Sequence, residues 1–239
     1  RARARISSRC NFPIAAGLAS SASAFASITV AAAHAAGKPL DTAGLANLAG
    51  QSSGSAARSL YGGFVELESR ENDVRVRTLR DGSEWPLVVV VAVTEKGPKP
   101  VGSTEAMEIS RKTSPFYSSW IEKQNEDLAL ARDAIEARDF QKLAAVAEHN
   151  CLKMHSMMWA SRPPIVYWNS ATMRCLQTVR KLQRSGLGVF FTIDAGPQVK
   201  AICLPDHVAA VQSALAETEG VLDVLCSGVG DGARLLEQK

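Results

Sequence analysis

The chain has 239 residues, of which 46% are hydrophobic and 21% are charged, a balance typical of a folded globular protein rather than a disordered or fibrous one. Its formal net charge of +3 is too small to indicate a nucleic-acid partner, which would need a strongly basic surface. Five widely spaced cysteines include no Cys-x-x-Cys pair, which favours free, mostly buried thiols in a reducing compartment such as the cytosol.

The N-terminal 40 residues are rich in arginine and serine and contain no acidic residue, a composition that also occurs in targeting peptides. The uncharged run at residues 14–37 is long enough to span a bilayer. Alanine, serine and glycine dominate it, however, and transfer of such a run into lipid is unfavourable, so we predict neither a leader nor a membrane span. Residues 1–6 alternate arginine with apolar side chains and predict a strand.

Residues 13–23 read Pro-Ile-Ala-Ala-Gly-Leu-Ala-Ser-Ser-Ala-Ser and predict a phosphate-binding loop that leads into a helix at residues 22–36. Gly17 permits a tight turn because it has no Cβ atom. Serines surround the predicted helix start, where free N–H groups and the helix dipole favour an anion. The candidate phosphate-binding residues are Ala16, Gly17, Leu18, Ala19, Ser20 and Ser21.

A second helix is predicted at residues 42–49, with Asp41 as its N-cap. After it, Gly50-x-Ser52-x-Gly54 matches the nucleophile elbow of α/β-hydrolases by letter. Such an elbow needs a strand before the serine and a helix after it. Because a helix is predicted before Ser52, the sequence argues against a serine hydrolase.

Residues 53–64 predict another helix start that is fringed by hydroxyl groups. Ser55 and Arg58 are three residues apart and therefore lie on one helix face. Together with Ser53 they are suited to a diphosphate, which a guanidinium group can bind with two parallel hydrogen bonds. The same residues would also occur if the serines simply capped a helix and Arg58 were an ordinary surface residue. The residues alone therefore leave open both the diphosphate site and this structural interpretation.

Residues 65–84 predict a β-hairpin with polar bends near residues 71–73 and 81–83. The β-branched run at residues 87–93 predicts a buried central strand. We place a domain boundary between these elements, which gives an N-terminal domain at residues 1–84 and a C-terminal domain at residues 85–239. Beyond the strand, residues 101–107 predict a hydroxyl-rich loop before a helix, either a ligand contact or a plain linker.

Residues 118–159 have helical periodicity and predict two helices that break near Asp139. His149, Cys151 and His155 could suggest a metal site. At about 100° per residue these three side chains cannot converge from one helix, so we expect no zinc site there.

The C-terminal third predicts a helix at residues 171–183 with Ser170 as its cap, and then a buried strand at residues 189–193. Asp194-Ala-Gly-Pro follows this strand, and its carboxylate is either an ordinary turn residue or an acid held rigidly for chemistry. A closing β-α-β unit is predicted with a strand at residues 199–204, a helix at residues 205–217 and a strand at residues 221–226.

These segments together resemble one family. Residues 11–23 resemble the phosphate loop of the GHMP kinase superfamily, and most closely that of its diphosphomevalonate decarboxylase family. Residues 53–64 resemble that family's substrate-diphosphate segment, residues 102–107 its Ser-Ser-Thr-x-Gly-Met segment, and residues 194–198 its Asp-Ala-Gly-Pro-Asn box. The positions that depart from the family pattern are Ile14, Ala24, Ala57, Gly102, Ala106, Gln198 and Asp231.

The resemblance implies an α+β GHMP-type fold in two domains. These are a truncated ribosomal protein S5 domain 2-like N-terminal part and a ferredoxin-like helix-and-sheet C-terminal domain. It also implies ATP- and Mg²⁺-dependent decarboxylation of (R)-5-diphosphomevalonate to isopentenyl diphosphate by a homodimer, with no protein-held metal, nucleic-acid or membrane partner. By the same resemblance, the catalytic residue is Asp194, the substrate-binding residues are Ser53, Ser55, Arg58, Ser103 and Met107, and further candidates are Ser8 and Asn11.

Two alternatives stay open at this point. In the family a lysine-bearing segment precedes the phosphate loop, and this sequence does not include it. The chain is therefore either a decarboxylase or a truncated homologue that binds ligand without turnover. A GHMP small-molecule kinase, of the mevalonate or phosphomevalonate kinase type, would stop after phosphorylation.

Overall fold

The computed structural model describes residues 4–38, 40–69 and 74–236. The N-terminal elements are α1 (Ser20–Ala35), α2 (Thr42–Ser52), α3 (Gly54–Arg58), β1 (Phe64–Ser69) and β2 (Val74–Arg80). They are followed by β3 (Val88–Val93), α4 (Ser103–Thr113), α5 (Tyr117–Glu122), α6 (Gln124–Ala137), α7 (Phe140–Trp159), α8 (Ser170–Arg184), β4 (Val189–Thr192), β5 (Val199–Cys203), α9 (Val208–Ala216) and β6 (Asp223–Gly228). Within these ranges, no helix has the length and hydropathy to cross a membrane.

Small side chains hold the three N-terminal helices together. Ala26 of α1, Ala49 of α2 and Ala56 of α3 are buried in one cluster with Leu60. Alanine lets helix backbones approach closely, so few large side chains are needed there. The start of α2 is fixed by Asp41, whose carboxylate accepts a hydrogen bond of 2.8 Å from the N–H of Gly44. Strands β1 and β2 pair as an antiparallel hairpin.

The C-terminal half is built on a four-stranded sheet in the order β4-β5-β3-β6, with antiparallel pairing throughout. Strand β3 is central, as its run of β-branched residues predicts. One face of the sheet packs on α8 and α9, and its fully buried side chains include Val90, Phe191, Val179 and Leu215. This core places the end of β4, and the residue that follows it, on a rigid support.

Helix α7 covers the outer edge of β4, which pairs with no strand on that side within the described residues. Glu148 accepts a hydrogen bond from the N–H of Phe191 at 3.2 Å, and Cys151 Sγ accepts one from the N–H of Ile193 at 3.2 Å. His155 Nε2 lies 3.0 Å from the carbonyl oxygen of Ile193 and donates to it. Three side chains one helical turn apart thus satisfy the edge groups that a neighbouring strand would otherwise bind.

Most of the predicted elements are confirmed, and four predictions are wrong. One is the number of helices at residues 118–159, where the sequence predicts two and the structure has three, α5, α6 and α7. Residues 4–6 form no strand and are exposed, because alternation alone cannot make a strand without a partner; residues 1–3 lie outside the described ranges. Ser103 begins α4, so residues 103–107 are helical rather than a loop. The cap of α8 is Asn169, not Ser170, in a capping box with Thr172.

The predicted bend at residues 71–73 also lies outside the described ranges, while the strands on both sides of it pair as expected. The second bend is a short 3-10 turn, Gly82–Glu84, in which Asp81 accepts a hydrogen bond of 2.8 Å from the N–H of Ser83. The break between α6 and α7 falls where the sequence predicts it, with Asp139 capping α7.

Candidate functional site

A cavity of about 550 Å³ lies where four separate segments of the chain meet. The segments are the loop before α1, the start of α3, the region between β3 and α4, and the turn after β4. The lining residues are Ala15, Gly17, Ala19, Ser20, Ser21, Ser53, Gly54, Ser55, Arg58, Lys99, Ser103, Thr104, Asp194 and Ala195. The three motifs that are distant in sequence therefore open onto one space.

The loop before α1 and the turn after β4 touch through their backbones. Gly17 has a φ of +82°, and a Cβ atom there would lie 2.7 Å from the Cα atom of Gly196. A Cβ atom on Gly196 would in turn lie 2.6 Å from the Cα atom of Gly17. Because real Cβ atoms do not approach so closely, both positions require glycine. The contact fixes the loop before α1 directly beside the turn that carries Asp194.

The loop presents the N-terminus of α1 to the cavity. Ala19 precedes the helix in the left-handed region, with a φ of 54°, and its methyl group offers no oxygen to cap the first turn. Ser20 Oγ accepts a hydrogen bond from the N–H of Ala15 at 3.1 Å, which closes the loop on itself. The start of a 16-residue helix, bordered by the hydroxyl groups of Ser20 and Ser21, is a favourable place for an anion.

Hydroxyl groups and a guanidinium group from the region of α3 also line the cavity. The Oγ atoms of Ser53 and Ser55 are 3.2 Å apart, and Arg58 is exposed at the end of the same short helix. The hydroxyl groups can donate to phosphate oxygens, and the guanidinium group can bind two of them at once.

A lysine that the sequence analysis did not single out, Lys99, also lines the cavity. Its Nζ donates to Ser103 Oγ at 2.5 Å and to the carbonyl oxygen of Ala195 at 2.8 Å, and it lies 5.6 Å from the ring centroid of Tyr167. Burial lowers the pKa of Lys99; the nearby Asp194 opposes this shift and Lys200 adds to it. Lys99 follows Gly97-Pro98, which interrupts regular structure, and it precedes the hydroxyl-rich segment at residues 101–107. That position could have indicated Lys99 as a site residue from the sequence.

Asp194 projects from a tight turn in which the N–H of Gly196 donates to its carbonyl oxygen at 2.7 Å. Its carboxylate Oδ2 lies 2.8 Å from Nζ of Lys200. The Asp194 side chain is 56% exposed and that of Lys200 only 13%, so the acid faces the cavity while its cationic partner lies behind it. Lys200 was also missed, because a lone lysine in a buried strand has no distinctive pattern.

The cavity brings together nine of the residues that the sequence analysis predicted, and five lie elsewhere. Ala16 is buried, and neither it nor Leu18 is among the lining residues. Met107 packs against the apolar cluster that contains Met157 and Tyr167, away from the cavity lining. The two remaining candidates are exposed on the segment before the loop: Ser8 and Asn11.

The structure also excludes the hydrolase interpretation and explains the histidine and cysteine pattern. Ser52 is the last residue of α2, so no strand precedes it as a nucleophile elbow would require. Cys151 and His155 bind the backbone of Ile193, as described above. In the described residues no group of three or more His, Cys, Asp and Glu side chains is arranged to hold a metal ion.

Comparison with known proteins matches both halves of the chain to one family. The family "Diphosphomevalonate decarboxylase-like N-terminal domain" matches residues 1–77, and "Mevalonate 5-diphosphate decarboxylase C-terminal domain" matches residues 89–231. The chain belongs to the diphosphomevalonate decarboxylase family. The predicted resemblance is thereby confirmed.

Individual relatives agree with this assignment. The diphosphomevalonate decarboxylase of Rattus norvegicus is 34% identical over 221 residues, which cover 89% of this chain and 54% of the rat protein. The crystal structure of mevalonate diphosphate decarboxylase from Staphylococcus aureus has a TM-score of 0.87 and 34% identity, covering 94% of this chain and 69% of that one. A structure described as MDDEF in complex with MVAPP, AMPPCP and magnesium has a TM-score of 0.86 and 31% identity, covering 95% of this chain and 70% of that one.

These superpositions confirm the predicted α+β, GHMP-type fold. The chain spans about half the length of the curated relatives it matches, 54% in the case of the rat protein. The two family matches also divide the chain between residues 77 and 89, a region that includes the predicted domain boundary near Glu84.

Proposed function

We propose that this chain carries the site for ATP-dependent decarboxylation of (R)-5-diphosphomevalonate to isopentenyl diphosphate, ADP, phosphate and CO₂. The observation that supports it is the single cavity in which a phosphate-binding loop, the Ser53–Arg58 region and Asp194 face one another. In a member of the decarboxylase family, these are the parts that such a reaction needs: a place for a nucleoside triphosphate, a place for a diphosphate, and an acid between them.

The nucleotide phosphates fit the loop side of the cavity. The N-terminus of α1, the hydroxyl groups of Ser20 and Ser21 and the ammonium group of Lys99 supply positive charge and hydrogen-bond donors there. MDDEF, which has a closely similar fold, binds AMPPCP. We therefore assign the ATP phosphates to this side.

The substrate diphosphate fits the α3 side, where Ser53, Ser55 and Arg58 lie. Arginine is suited to this task because its planar guanidinium group matches two phosphate oxygens. With the nucleotide and substrate phosphates in these two places, the branched carbon chain of the substrate would lie near Asp194, which lines the same cavity. Ser103, at the start of α4, completes the lining on the substrate side in this proposal.

A magnesium ion fits this cavity if most of its ligands are phosphate oxygens. Mg²⁺ in nucleotide sites is usually held by one or two protein oxygens together with phosphates and water. Ser20 and Ser21 supply hydroxyl oxygens for it beside the loop. When bound, the ion would offset the negative charge of the transferring phosphoryl group.

In the first chemical step, Asp194 orients the tertiary hydroxyl group of the substrate and accepts its proton. The hydroxyl oxygen forms a bond to the γ-phosphorus of ATP, and the bond from that phosphorus to the β,γ-bridging oxygen breaks, which releases ADP. The loop and the α3 region act by holding the two reactants in line, which is the main contribution a protein makes to phosphoryl transfer.

In the second step the C–O bond to the new phosphate group breaks, and its electron pair leaves with the phosphate. The C–C bond to the carboxylate breaks as well, and its electrons form the double bond while CO₂ departs. Asp194 passes the proton it accepted to solvent, and its restored carboxylate stabilises the positive charge that develops on the tertiary carbon. Since the Asp194 side chain is 56% exposed, exclusion of water from that carbon depends on the bound ligands.

A homodimer and a cytosolic location belong to the same proposal, because the family resemblance supports both. Light scattering on the purified chain tests the first, with a mass of twice 25.5 kDa expected for the dimer. A single mass of 25.5 kDa at micromolar concentration would overturn it.

The decisive assay incubates the chain with ATP, Mg²⁺ and diphosphomevalonate that is labelled with ¹⁴C in its carboxyl group. Release of labelled CO₂ in equal amount with ADP is the expected result. ADP without CO₂ would identify a kinase of the same superfamily instead. Binding of both ligands without either product would identify a homologue that lacks turnover.

A further inference from the structure

A largely buried lysine, Lys200, joins the two halves of the site. Lys200 lies in the interior strand β5, where its backbone pairs with Val91 on β3 and with Thr192 on β4. Its Nζ lies 2.8 Å from Asp194 Oδ2 and donates to the carbonyl oxygen of Gly17 at 2.8 Å. The side chain is 13% exposed, so little water competes for these two bonds. One ammonium group therefore holds both the phosphate loop and the acid.

The loop and the turn need such a link because their direct contact is made by two glycines. Gly17 and Gly196 touch backbone to backbone and have no side chains to interlock. The Gly17 carbonyl oxygen and the Asp194 carboxylate, which both contact Lys200 Nζ, are both acceptors and would repel each other. A cation placed between them removes that repulsion and sets their separation.

We propose that Lys200 is a positioning residue that fixes the Asp194 carboxylate at a set distance from the phosphate loop, and hence from the phosphoryl group to be transferred. This inference rests on the proposed function for its catalytic consequence. The structural part, the joint fixing of loop and turn, does not depend on it. Lys200 is behind Asp194 and does not line the cavity, so it acts through the acid and the loop rather than on the ligands.

The kinetic test compares Lys200→Met, which keeps the length of the side chain without its charge, with Lys200→Arg. We expect Lys200→Met to lower kcat about 100-fold, because a misplacement of roughly 1 Å in an aligned site has that cost. The KM values for ATP and diphosphomevalonate should change little, and Lys200→Arg should recover most of the loss. Lys142→Met, at a lysine that is 71% exposed on α7, is the matched control.

An unchanged kcat in Lys200→Met would overturn the proposal. So would a rise in KM at constant kcat, which would indicate a direct ligand contact. The melting temperature of each variant is measured alongside the assay. A loss of activity through misfolding would lower the melting temperature and would reduce the activity of Lys200→Arg as much as that of Lys200→Met.

A second measurement needs no catalysis. In ligand-free Lys200→Met, amide hydrogen exchange should accelerate about tenfold both in residues 15–19 and in residues 194–196. The two segments should change together because the variant loses the charge-assisted hydrogen bonds that hold both of them. Lys200→Arg and Lys142→Met should exchange like the unmodified chain. Acceleration in only one segment, or in neither, would overturn the proposal. If the unmodified chain releases no CO₂, the proposed function fails while this test still decides the role of Lys200.

Discussion

At the scale of single residues, Asp194 carries the chemistry of the proposed site. Its side chain is more than half exposed and lines the cavity, and its backbone is fixed by a tight turn at the end of a buried strand. The combination gives an acid that a substrate can reach and that is held in one place. A carboxylate on a mobile loop would not be held in place, and a fully buried carboxylate could not be reached by a substrate.

Replacing Asp194 by Asn should abolish turnover while leaving nucleotide binding intact. The amide keeps the size of the side chain but cannot accept the hydroxyl proton, so kcat should fall by at least about 100-fold. Calorimetric titration with Mg²⁺ and AMPPCP should give the affinity of the unmodified chain. A variant that retains a tenth of the original rate would contradict the role assigned to Asp194.

Replacing Arg58 by Ala should weaken binding of the substrate diphosphate and leave kcat nearly unchanged. Loss of hydrogen bonds between charged groups costs about 1.5–3 kcal/mol, or roughly a 10- to 100-fold rise in the dissociation constant. Arg111→Ala is the matched control, since Arg111 is exposed on α4 and pairs with the surface residue Glu108 there. Equal affinities in the two variants would remove Arg58 from the site.

Replacing Gly196 by Ala should destabilise the fold as well as the site. The new Cβ atom would lie 2.6 Å from the Cα atom of Gly17, and relief requires a backbone shift that costs roughly 1–3 kcal/mol. Gly54→Ala is the control, because a Cβ atom there meets nothing within 4 Å. Urea titration of both variants measures the free energy of unfolding, and similar values would show that the loop and the turn do not pack as described.

At the scale of elements, local patterns were predictive and long-range pairings were not. Asp41 and the alanine-rich run identified their helices because caps and periodicity act within a few residues. Residues 4–6 show the opposite case, since alternation says nothing about whether a partner strand exists. Lys200 binds the carbonyl of Gly17, 183 residues away in sequence, and no local rule connects these positions. The individual residues of the site were thus more predictable than the contacts that hold it together.

The edge of β4 gives a prediction on pH. Burial lowers the pKa of His155 from 6.5 to about 4, only partly offset by its hydrogen bond to Ile193 and by Asp194. The folded state therefore keeps His155 neutral in a range where the unfolded chain binds a proton, and stability should fall as the pH drops from 6.5 towards 4, by roughly 3 kcal/mol in total.

Urea titrations at pH 7 and pH 4.5 measure this contribution. His155→Gln, which can still donate a hydrogen bond to the Ile193 carbonyl, should show a smaller loss of stability between the two pH values. His149→Gln, on the same helix, should lose as much as the unmodified chain. If all three chains lose the same free energy of unfolding on acidification, protonation of His155 is not the cause of the loss.

At the scale of the whole molecule, burial separates the cysteines into two classes. Cys151, Cys175 and Cys203 lie in the core around the four-stranded sheet, whereas Cys226 is exposed on β6 and Cys10 is half-buried before the phosphate loop. Burial raises the pKa of each of the three core thiols to about 11. All five thiols are free, as their spacing in the sequence predicted.

Thiol labelling therefore reports on the integrity of the whole fold. At pH 8, iodoacetamide should modify Cys226 and Cys10 within minutes. The three core thiols should react only at the rate at which the sheet opens. Iodoacetamide reacts with the thiolate form, and burial of these three side chains disfavours that form. Peptide mass mapping distinguishes the positions, and labelling in urea should make all five equivalent. Rapid labelling of Cys151 in the native chain would show that α7 separates from β4, and the support of Asp194 described above would then be wrong.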